Sequence, residues 1–251
     1  MRNVKKNSLN FNIDSSNEYF DLFWTDVEKN IREQNTFKIL DRYVNKDSYV
    51  LDIGAWIGPV TLYAAAIGAK VDAFEPDPVA YDELIRNINV NDFKDKISVY
   101  KECINDVNGV VEFGNVKNAW GNSGSSMLHG HGFIVDTQCD ANGKWQVSYK
   151  VKAVTLDDFL ASKQIDKVDF IKIDIEGGES KVVPTLKNII EKYHPTIHLS
   201  VHTPFFSNVN IELSQIVNTF NSYCIYDSSG QKINSQNLLN MTGFYDIVCA
   251  K

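Results

Sequence analysis

The spacing of apolar residues predicts helices near the start of the chain and alternating strands and helices in the rest. From Tyr19 to Val44, apolar and aromatic side chains recur at the spacing of an α-helix. A break near Gln34–Asn35 divides this stretch into two predicted helices. Residues 1–18 are polar, and we expect them to be partly disordered. The pattern therefore predicts an N-terminal helical extension over residues 1–45.

From residue 46 onward, short apolar strands alternate with helices. Nearly continuous apolar runs fit strands that are covered on both faces, and Pro59 and Pro78 mark the first turns of two helices. The alternation predicts an α/β fold over residues 46–251, with a mostly parallel seven-stranded sheet and helices on both faces. A β-rich insertion is expected at about 105–157. The predicted strands are 49–54, 70–76, 96–104, 169–177, 196–202, 223–227 and 244–250, and helices are predicted at 59–67, 180–192 and 209–222.

Composition and charge narrow the class of protein. Apolar residues make up 43% of the 251 residues, which suits one α/β domain with an ordinary core. The formal charge of -7 gives no electrostatic reason to bind nucleic acid over a wide surface. The four cysteines form no CxxC pair, so we expect reduced thiols rather than a zinc or redox site. The N-terminus lacks a secretory signal, and the longest apolar run, 62–69, is too short to cross a bilayer. We therefore expect a cytoplasmic protein with no membrane span.

The stretch LDIGAWIG has the pattern of a cofactor-binding turn between a strand and a helix. Gly54 and Gly58 allow the backbone to turn tightly, and Glu75 ends the next strand, where a carboxylate can accept both hydroxyl hydrogens of a ribose. Trp56 interrupts the G-x-G-x-x-G pattern that a dinucleotide pyrophosphate requires. The observed spacing, D-x-G-x-x-x-G, matches the loop that holds the amino-acid end of S-adenosylmethionine, with Asp52 facing the ammonium group. The sequence therefore favours S-adenosylmethionine over NAD.

Further motifs, in the same order along the chain, resemble the FkbM family of S-adenosylmethionine-dependent methyltransferases. They are LDIGAWIG (51–58), FEPD (74–77), GNSGSS (121–126), VTLDDFL (154–160) and DFIKIDIEGGE (169–179), followed by the strand before His202. The resemblance covers about residues 45–205. It implies a class I methyltransferase, Rossmann-like fold and methyl transfer, usually to a hydroxyl of a sugar, a glycan or another secondary metabolite. The family more often has asparagine where this chain has Trp56, so the resemblance leaves the role of this indole open.

Three side chains are candidates for the proton transfer that a hydroxyl acceptor needs. Asp174 and Glu176 are two residues apart at the end of the fourth predicted strand, so on a strand they would point the same way. His202 ends the neighbouring strand. Asp174 is also a candidate cofactor contact. Two carboxylates and an imidazole can form a base site or a divalent-metal site. The sequence does not reveal a complete set of metal ligands, so no metal is predicted. Capping of the next helix is the other role open to the carboxylates.

The remaining candidates for contacts with the cofactor or the acceptor lie on other strands and in the insertion. They are Cys103 and Ile104 near the expected adenine position, and Asn122, Ser125, Lys172 and His202 near the expected acceptor. For Lys172, charge pairing with Asp174 is the alternative.

The functions that remain open besides O-methylation are N-methylation of a small molecule, nicotinamide-dependent oxidation of sugars, and cofactor binding without catalysis. The expected partner is a small-molecule or glycan acceptor. The sequence does not indicate an oligomeric state.

Overall fold

The structure is a computed structural model that describes residues 1–115, 133–134 and 147–251. Within these residues the strands form an N-terminal hairpin, a central sheet and a small four-stranded sheet. In chain order, the strands are β1 (Arg2–Lys6), β2 (Leu9–Ile13), β3 (Tyr49–Ile53), β4 (Lys70–Phe74), β5 (Ile97–Tyr100), β6 (Cys103–Ile104), β7 (Gly109–Asn115), β8 (Phe133–Ile134), β9 (Val147–Val154), β10 (Phe170–Ile173), β11 (Thr196–His202), β12 (Cys224–Asp227), β13 (Lys232–Ile233) and β14 (Phe244–Ala250). The helices are α1 (Glu18–Glu28), α2 (Gln34–Tyr43), α3 (Pro59–Ile67), α4 (Pro78–Asn89), α5 (Leu156–Ser162), α6 (Glu179–Val182), α7 (Lys187–Tyr193), α8 (Val209–Thr219) and α9 (Ser235–Leu239), with 3-10 turns at Val183–Leu186 and Thr203–Phe205.

The central sheet has the strand order β13-β12-β14-β11-β10-β3-β4-β5. Strands β5, β4, β3, β10 and β11 are parallel to one another, whereas β14 runs antiparallel to both of its neighbours. The mostly parallel α/β fold is thus confirmed, and the two-residue strand β13 adds an eighth strand at one edge. The parallel arrangement brings the carboxyl ends of β3, β4, β10 and β11 to one edge, where ligands of such sheets bind.

The third predicted strand, 96–104, is divided between two sheets. Its first part, β5, pairs with β4 in the central sheet, whereas β6 pairs with β9 in the small sheet. The chain therefore leaves the central sheet after Tyr100, which the continuous strand pattern did not predict.

Helices cover both faces of the central sheet, and each face has its own buried cluster. Leu51 and Ile171 belong to the cluster that α5–α8 cover, whereas Val50 and Phe170 belong to the cluster that contains α1–α4. This alternation follows from the strand period of two. Helices α3 and α4 begin where the sequence predicts: each has proline in the first turn, and the Asp77 side chain accepts the N–H groups of the two residues that follow Pro78. The predicted helix 180–192 is instead divided into α6, a 3-10 turn and α7.

The N-terminal hairpin corrects the expectation of partial disorder over residues 1–18. Val4, Phe11 and Ile13 alternate with polar residues and are buried in the same cluster as α1, α2 and α3. Arg2 also pairs with Asp21 of α1, at 3.1 Å. The strand period was therefore present in a segment whose overall composition is polar.

The described part of the predicted insertion is β-rich, because β7 and β9 pair antiparallel along their length. Asn122, Ser125 and Cys139 lie outside the described residues. Cys103, Cys224 and Cys249 are free thiols. Of the helices in the described parts of the chain, none combines the length and hydropathy that crossing a bilayer requires.

Candidate active site

A cavity of about 510 Å³ opens at the carboxyl edge of the central sheet. Its volume is within the range that small-molecule and cofactor sites occupy. The structure brings ten predicted residues to its walls: Asp52, Gly54, Trp56, Glu75, Cys103, Ile104, Lys172, Asp174, Glu176 and His202. The parallel sheet thus gathers residues from four strand ends and from the small sheet around one space.

The N-terminal segment forms one wall of this cavity. Tyr19, Leu22 and Phe23 of α1 line it, together with Glu33 at the start of α2. This wall could not be predicted from the sequence, because core packing and pocket lining produce the same pattern of apolar positions on a helix. The N-terminal helices are therefore part of the site as well as of the core.

Gly54 places the ends of β3 and β10 in direct contact. Its φ is +86°, and a Cβ atom at this position would lie 1.9 Å from the carbonyl oxygen of Asp174. The close approach that requires glycine is thus to another strand end. Gly58 lies behind the turn as the residue before α3, with φ +99°, and its missing side chain makes room for Leu84. At both positions a side chain would collide with neighbouring protein atoms, so the loop requires glycine for its own packing.

Asp52 is a buried carboxylate at the floor of the cavity, 1% exposed. The Thr61 hydroxyl donates a hydrogen bond to its Oδ2 at 2.5 Å. Burial raises the pKa of Asp52 to about 6, while the Thr61 hydrogen bond and the Lys172 ammonium oppose this rise. The carboxyl is therefore ionised at neutral pH, as an ammonium partner would require.

Glu75 is fixed by two backbone amides, one on each oxygen. The Trp56 N–H donates to Oε2 at 2.8 Å, and the Asp77 N–H donates to Oε1 at 2.8 Å. Burial raises the pKa of Glu75 to about 8, with the neighbouring Asp77 charge adding to the rise. A carboxyl group keeps acceptor directions in either protonation state, so Glu75 could accept hydrogen bonds from the hydroxyls of a ribose.

Trp56 turns its indole toward helix α1. The ring packs edge-on against Phe23, with 4.7 Å between ring centroids, and against Phe20 at 5.8 Å. Its backbone is in the left-handed region, with φ +50°, a conformation that asparagine adopts more readily than tryptophan. The indole therefore joins the cofactor loop to the N-terminal wall of the cavity.

Cys103 and Ile104 line the cavity from a different element than predicted. They form β6 of the small sheet instead of ending a strand of the central sheet. Both are buried, and Phe74 and Phe113 line the same cavity. This apolar wall suits a flat heterocycle, and contact with adenine stays a prediction.

Asp174, Glu176 and His202 converge at the wall of the same cavity. His202 Nε2 lies 3.6 Å from Asp174 Oδ1 and 3.7 Å from Glu176 Oε2. The shared strand face predicted for the two carboxylates is wrong, because β10 ends at Ile173 and Glu176 lies in a turn with φ +53°. The turn, rather than a strand, aims Glu176 at the imidazole.

The imidazole of His202 is held from its other side by Glu179. Glu179 Oε1 lies 2.9 Å from His202 Nδ1, and Glu179 is fully buried. Burial opposes a charged imidazole, but the Glu179 hydrogen bond and the surrounding carboxylates outweigh it and raise the pKa of His202 to about 9. Burial likewise raises the pKa of Glu176 to about 7. Three carboxyl groups therefore surround one imidazole here.

Lys172 lies under Asp174 in a buried polar network. Its Nζ lies 3.1 Å from Asp174 Oδ2 and also donates to the Ser200 hydroxyl. Burial would raise the pKa of Asp174, but Lys172 and His202 outweigh it and lower that pKa. Charge pairing, the alternative given for Lys172, is thus what the structure shows, while contact with an acceptor stays a prediction.

Comparison with known proteins identifies the family of this chain. The sequence model of the methyltransferase FkbM domain matches residues 52–227. The chain belongs to the FkbM methyltransferase family. Methyltransferase sdnD from Sordaria araneosa is 27% identical over 163 residues, which are 58% of this chain and 61% of that protein. Ribosomal protein L11 methyltransferase from Ruminiclostridium cellulolyticum is 39% identical over 70 residues, 28% of this chain and 22% of that protein. The chain thus spans less than two thirds of either relative.

Solved methyltransferase structures align with this FkbM chain at low identity. A TehB-like SAM-dependent methyltransferase from Corynebacterium glutamicum shares 11% identity, covering 93% of this chain and 97% of that chain, with a TM-score of 0.44. Precorrin-6y C5,15-methyltransferase from Geobacter metallireducens shares 13% identity, covering 88% of each chain, with a TM-score of 0.42. The assignment to the FkbM family rests on the match over 52–227, and the fold rests on the strand order.

The cofactor of this FkbM domain is S-adenosylmethionine, and the residues of the cavity fit it. Glu75 would offer a fixed acceptor for ribose hydroxyls, and Asp52 would offer a negative charge for the ammonium group. The apolar wall of β6 lies along the same cavity. No pyrophosphate site is needed, which agrees with a bulky residue at Trp56.

Three residues of the site had no role in the sequence analysis. Glu179 fixes His202 and accepts the backbone N–H groups of Ile175 and Gly177; it was visible as the last letter of IKIDIEGGE. Thr61, in the first turn of α3, was not distinguishable from a core threonine. Phe23 was recognisable only as part of a helical pattern.

Proposed function

We propose that this protein transfers the methyl group of S-adenosylmethionine to a hydroxyl group of a small molecule, a sugar or a glycan. The observation that carries the proposal is the group of Asp174, Glu176 and His202, which lies in the same cavity as Glu75. A neutral amine can attack a methyl group without losing a proton first, whereas a hydroxyl is a weak nucleophile and gains from a base. A carboxylate and imidazole cluster therefore supports oxygen as the acceptor atom.

The residues of the cavity would divide the work of an in-line displacement. When bound, S-adenosylmethionine supplies a methyl group on a sulfonium. The acceptor oxygen forms the new bond to the methyl carbon, and the electron pair of the breaking carbon–sulfur bond stays on sulfur. The hydroxyl proton passes to a carboxylate, Asp174 or Glu176, and then to solvent. S-adenosylhomocysteine and a methyl ether are the products.

Apolar side chains at the cavity wall and around His202 support an acceptor with an apolar face. Leu22 is 58% exposed at the N-terminal wall. Phe205 stacks on His202 at 6.0 Å between ring centroids, and Phe244, 47% exposed, meets the His202 ring edge-on at 5.5 Å. Aromatic side chains around a polar centre would seat the carbon face of a sugar or a ring system while its hydroxyl reaches the acids.

A labelled-methyl assay tests the proposal. Purified protein is incubated with S-adenosylmethionine carrying a labelled methyl group and with paired panels of hydroxylated and aminated sugars and phenols. We expect label in an ether product and one S-adenosylhomocysteine per methyl transferred. Glu176→Gln should lower the rate by about 10²–10⁴-fold with little change in cofactor affinity. Glu191→Gln, an exposed acid on α7, is the matched control and should leave the rate unchanged.

Label found only in aminated acceptors would contradict the choice of oxygen. Cofactor binding without S-adenosylhomocysteine formation across both panels, in a protein whose cofactor affinity is intact, would contradict methyl transfer to these classes of acceptor.

A further inference from the structure

The geometry points to a divalent-cation site formed by Asp174, Glu176 and His202. One ligand atom from each residue lies within 4.8 Å of the other two. Two atoms bound to one ion at about 2.1–2.2 Å are about 3.0–4.4 Å apart, depending on the angle between them. The 3.6 Å and 3.7 Å separations from His202 Nε2 already lie in this range. A small rotation of the carboxylates would complete a three-ligand site.

His202 is oriented as a ligand rather than as a hydrogen-bonding partner of the two carboxylates. The residue is 8% exposed, and its Nε2 points at both carboxylates from distances longer than a hydrogen bond. Its Nδ1 is taken by Glu179, at 2.9 Å. A carboxylate on one imidazole nitrogen, with the other nitrogen turned toward oxygen donors, is the arrangement that fixes metal-binding histidines.

Glu179 is itself held rigidly. It is fully buried, and its two oxygens accept the N–H groups of Ile175 and Gly177 at 3.0 Å and 2.8 Å. These bonds tie it to the turn that carries Glu176. The turn therefore positions one direct ligand and the support of another at the same time.

Asp174 divides its two oxygens between the buried network and the proposed site. Oδ2 is 3.1 Å from Lys172 Nζ and accepts the Ser200 hydroxyl at 3.0 Å. Oδ1 is turned toward His202. Lys172 thus pairs with Oδ2 of Asp174 in the buried network. Oδ1 of Asp174, together with the Glu176 carboxylate, is left to bind a cation.

The donor set indicates the class of ion. Two carboxylate oxygens and one imidazole nitrogen combine the preferences of Mn²⁺ and Mg²⁺ for oxygen with those of iron and zinc for imidazole. Three protein ligands leave coordination positions open toward the cavity, as in catalytic metal sites. In a role that rests on the proposed function, the ion would hold the acceptor oxygen and favour loss of its proton.

Manganese binding tests the site directly, with Mn²⁺ itself as the probe. The electron paramagnetic resonance signal of free Mn²⁺ is followed while the full chain is titrated, and calorimetry gives the dissociation constant. We expect one Mn²⁺ per chain. Glu176→Gln should weaken binding at least about tenfold, and Glu179→Gln should weaken it about 10–100-fold, as expected for loss of the group that orients a metal-binding histidine. The Glu191→Gln control should bind as the wild type does.

Glu179→Gln also disturbs two backbone hydrogen bonds, so Glu176→Gln is the variant that decides if the former does not fold. No bound Mn²⁺ at about millimolar concentration would overturn the site, as would unchanged affinity in Glu176→Gln. Methyl transfer that proceeds in excess chelator, together with absent Mn²⁺ binding, leaves the proposed function standing and removes the metal. Mn²⁺ binding without any methyl transfer would support the metal site and contradict the proposed function.

Discussion

Gly54→Ala should damage the protein far more than an ordinary glycine substitution, because Gly54 joins the two strand ends that build the site. A Cβ atom there would lie 1.9 Å from the Asp174 carbonyl oxygen, whereas ordinary contacts begin at 3.4 Å. One of the two strand ends must therefore move by about 1.5 Å, the difference between these distances. The neighbouring backbone hydrogen bonds cannot follow such a shift. They join Asp174 N–H to Ile53 O at 2.9 Å and Gly54 N–H to Phe74 O at 3.0 Å.

The magnitude follows from these two hydrogen bonds and from the backbone conformation. Each buried backbone group left without a partner costs about 1–3 kcal/mol, and a left-handed non-glycine residue costs about 1–2 kcal/mol. The expected loss is about 3–8 kcal/mol, which is comparable with the whole stability of a typical domain. Gly243→Ala is the matched control, because Gly243 has φ +95° but nothing within 4 Å of the added Cβ. It should lose only the conformational cost.

Urea unfolding followed by circular dichroism measures both variants against the wild type, and calorimetry measures their affinity for S-adenosylmethionine. We expect Gly54→Ala to be largely unfolded or to have lost cofactor binding. Gly243→Ala should lose only the conformational cost in stability and should bind the cofactor as the wild type does. Equal unfolding midpoints for the two variants would refute the steric argument and the contact between β3 and β10 on which it depends.

Three further predictions concern Trp56, Glu75 and Thr61. Trp56→Ala and Trp56→Asn both remove the ring contacts with α1, but asparagine tolerates φ +50°. Urea unfolding should thus find Trp56→Asn more stable by about 0.5–1 kcal/mol, and the opposite order would contradict the left-handed geometry. Burial raises the pKa of Glu75 to about 8, so the folded protein holds a proton that the unfolded chain has lost. The free energy of unfolding without cofactor should therefore fall as pH rises from about 5 to 8, and Glu75→Gln should flatten this slope in pH-dependent urea titrations. Thr61→Val removes the hydroxyl that donates to Asp52 and should cost about 1.5–3 kcal/mol in the same assay, whereas an unchanged stability would show that this hydrogen bond is not formed.

The central fold could be predicted from the sequence because parallel strands that are covered on both faces appear as continuous apolar runs. β10 has four buried residues in succession, and its position after the insertion was readable for that reason. The hairpin at the N-terminus was missed because only every second residue of β2 is apolar in a segment full of asparagine and lysine. The division of 96–104 between two sheets was missed because β5 and β6 are separated by only two residues and together read as one strand.

The candidate site was predictable where strand ends determine position. Asp52, Glu75 and His202 reach one cavity because the sheet order places β3 beside β4, with only β10 between β3 and β11. The parts that depend on turns were not predictable. Glu176 reaches His202 because its own backbone is in the left-handed region and Gly177 follows it at φ +101°. The residue spacing along a strand does not predict such a turn. The contact of Trp56 with Phe23 required knowing where α1 packs.

Calorimetric titration of S-adenosylmethionine into the purified protein measures whether the cavity binds this cofactor. We expect one site per chain and no binding of NADH. Glu75→Ala should weaken binding by about 30–1,000-fold, the equivalent of losing ribose hydrogen bonds that together contribute about 2–4 kcal/mol, while Glu191→Ala should bind like the wild type. A protein that binds NADH instead, or whose affinity for S-adenosylmethionine is unchanged in Glu75→Ala, would contradict this expectation.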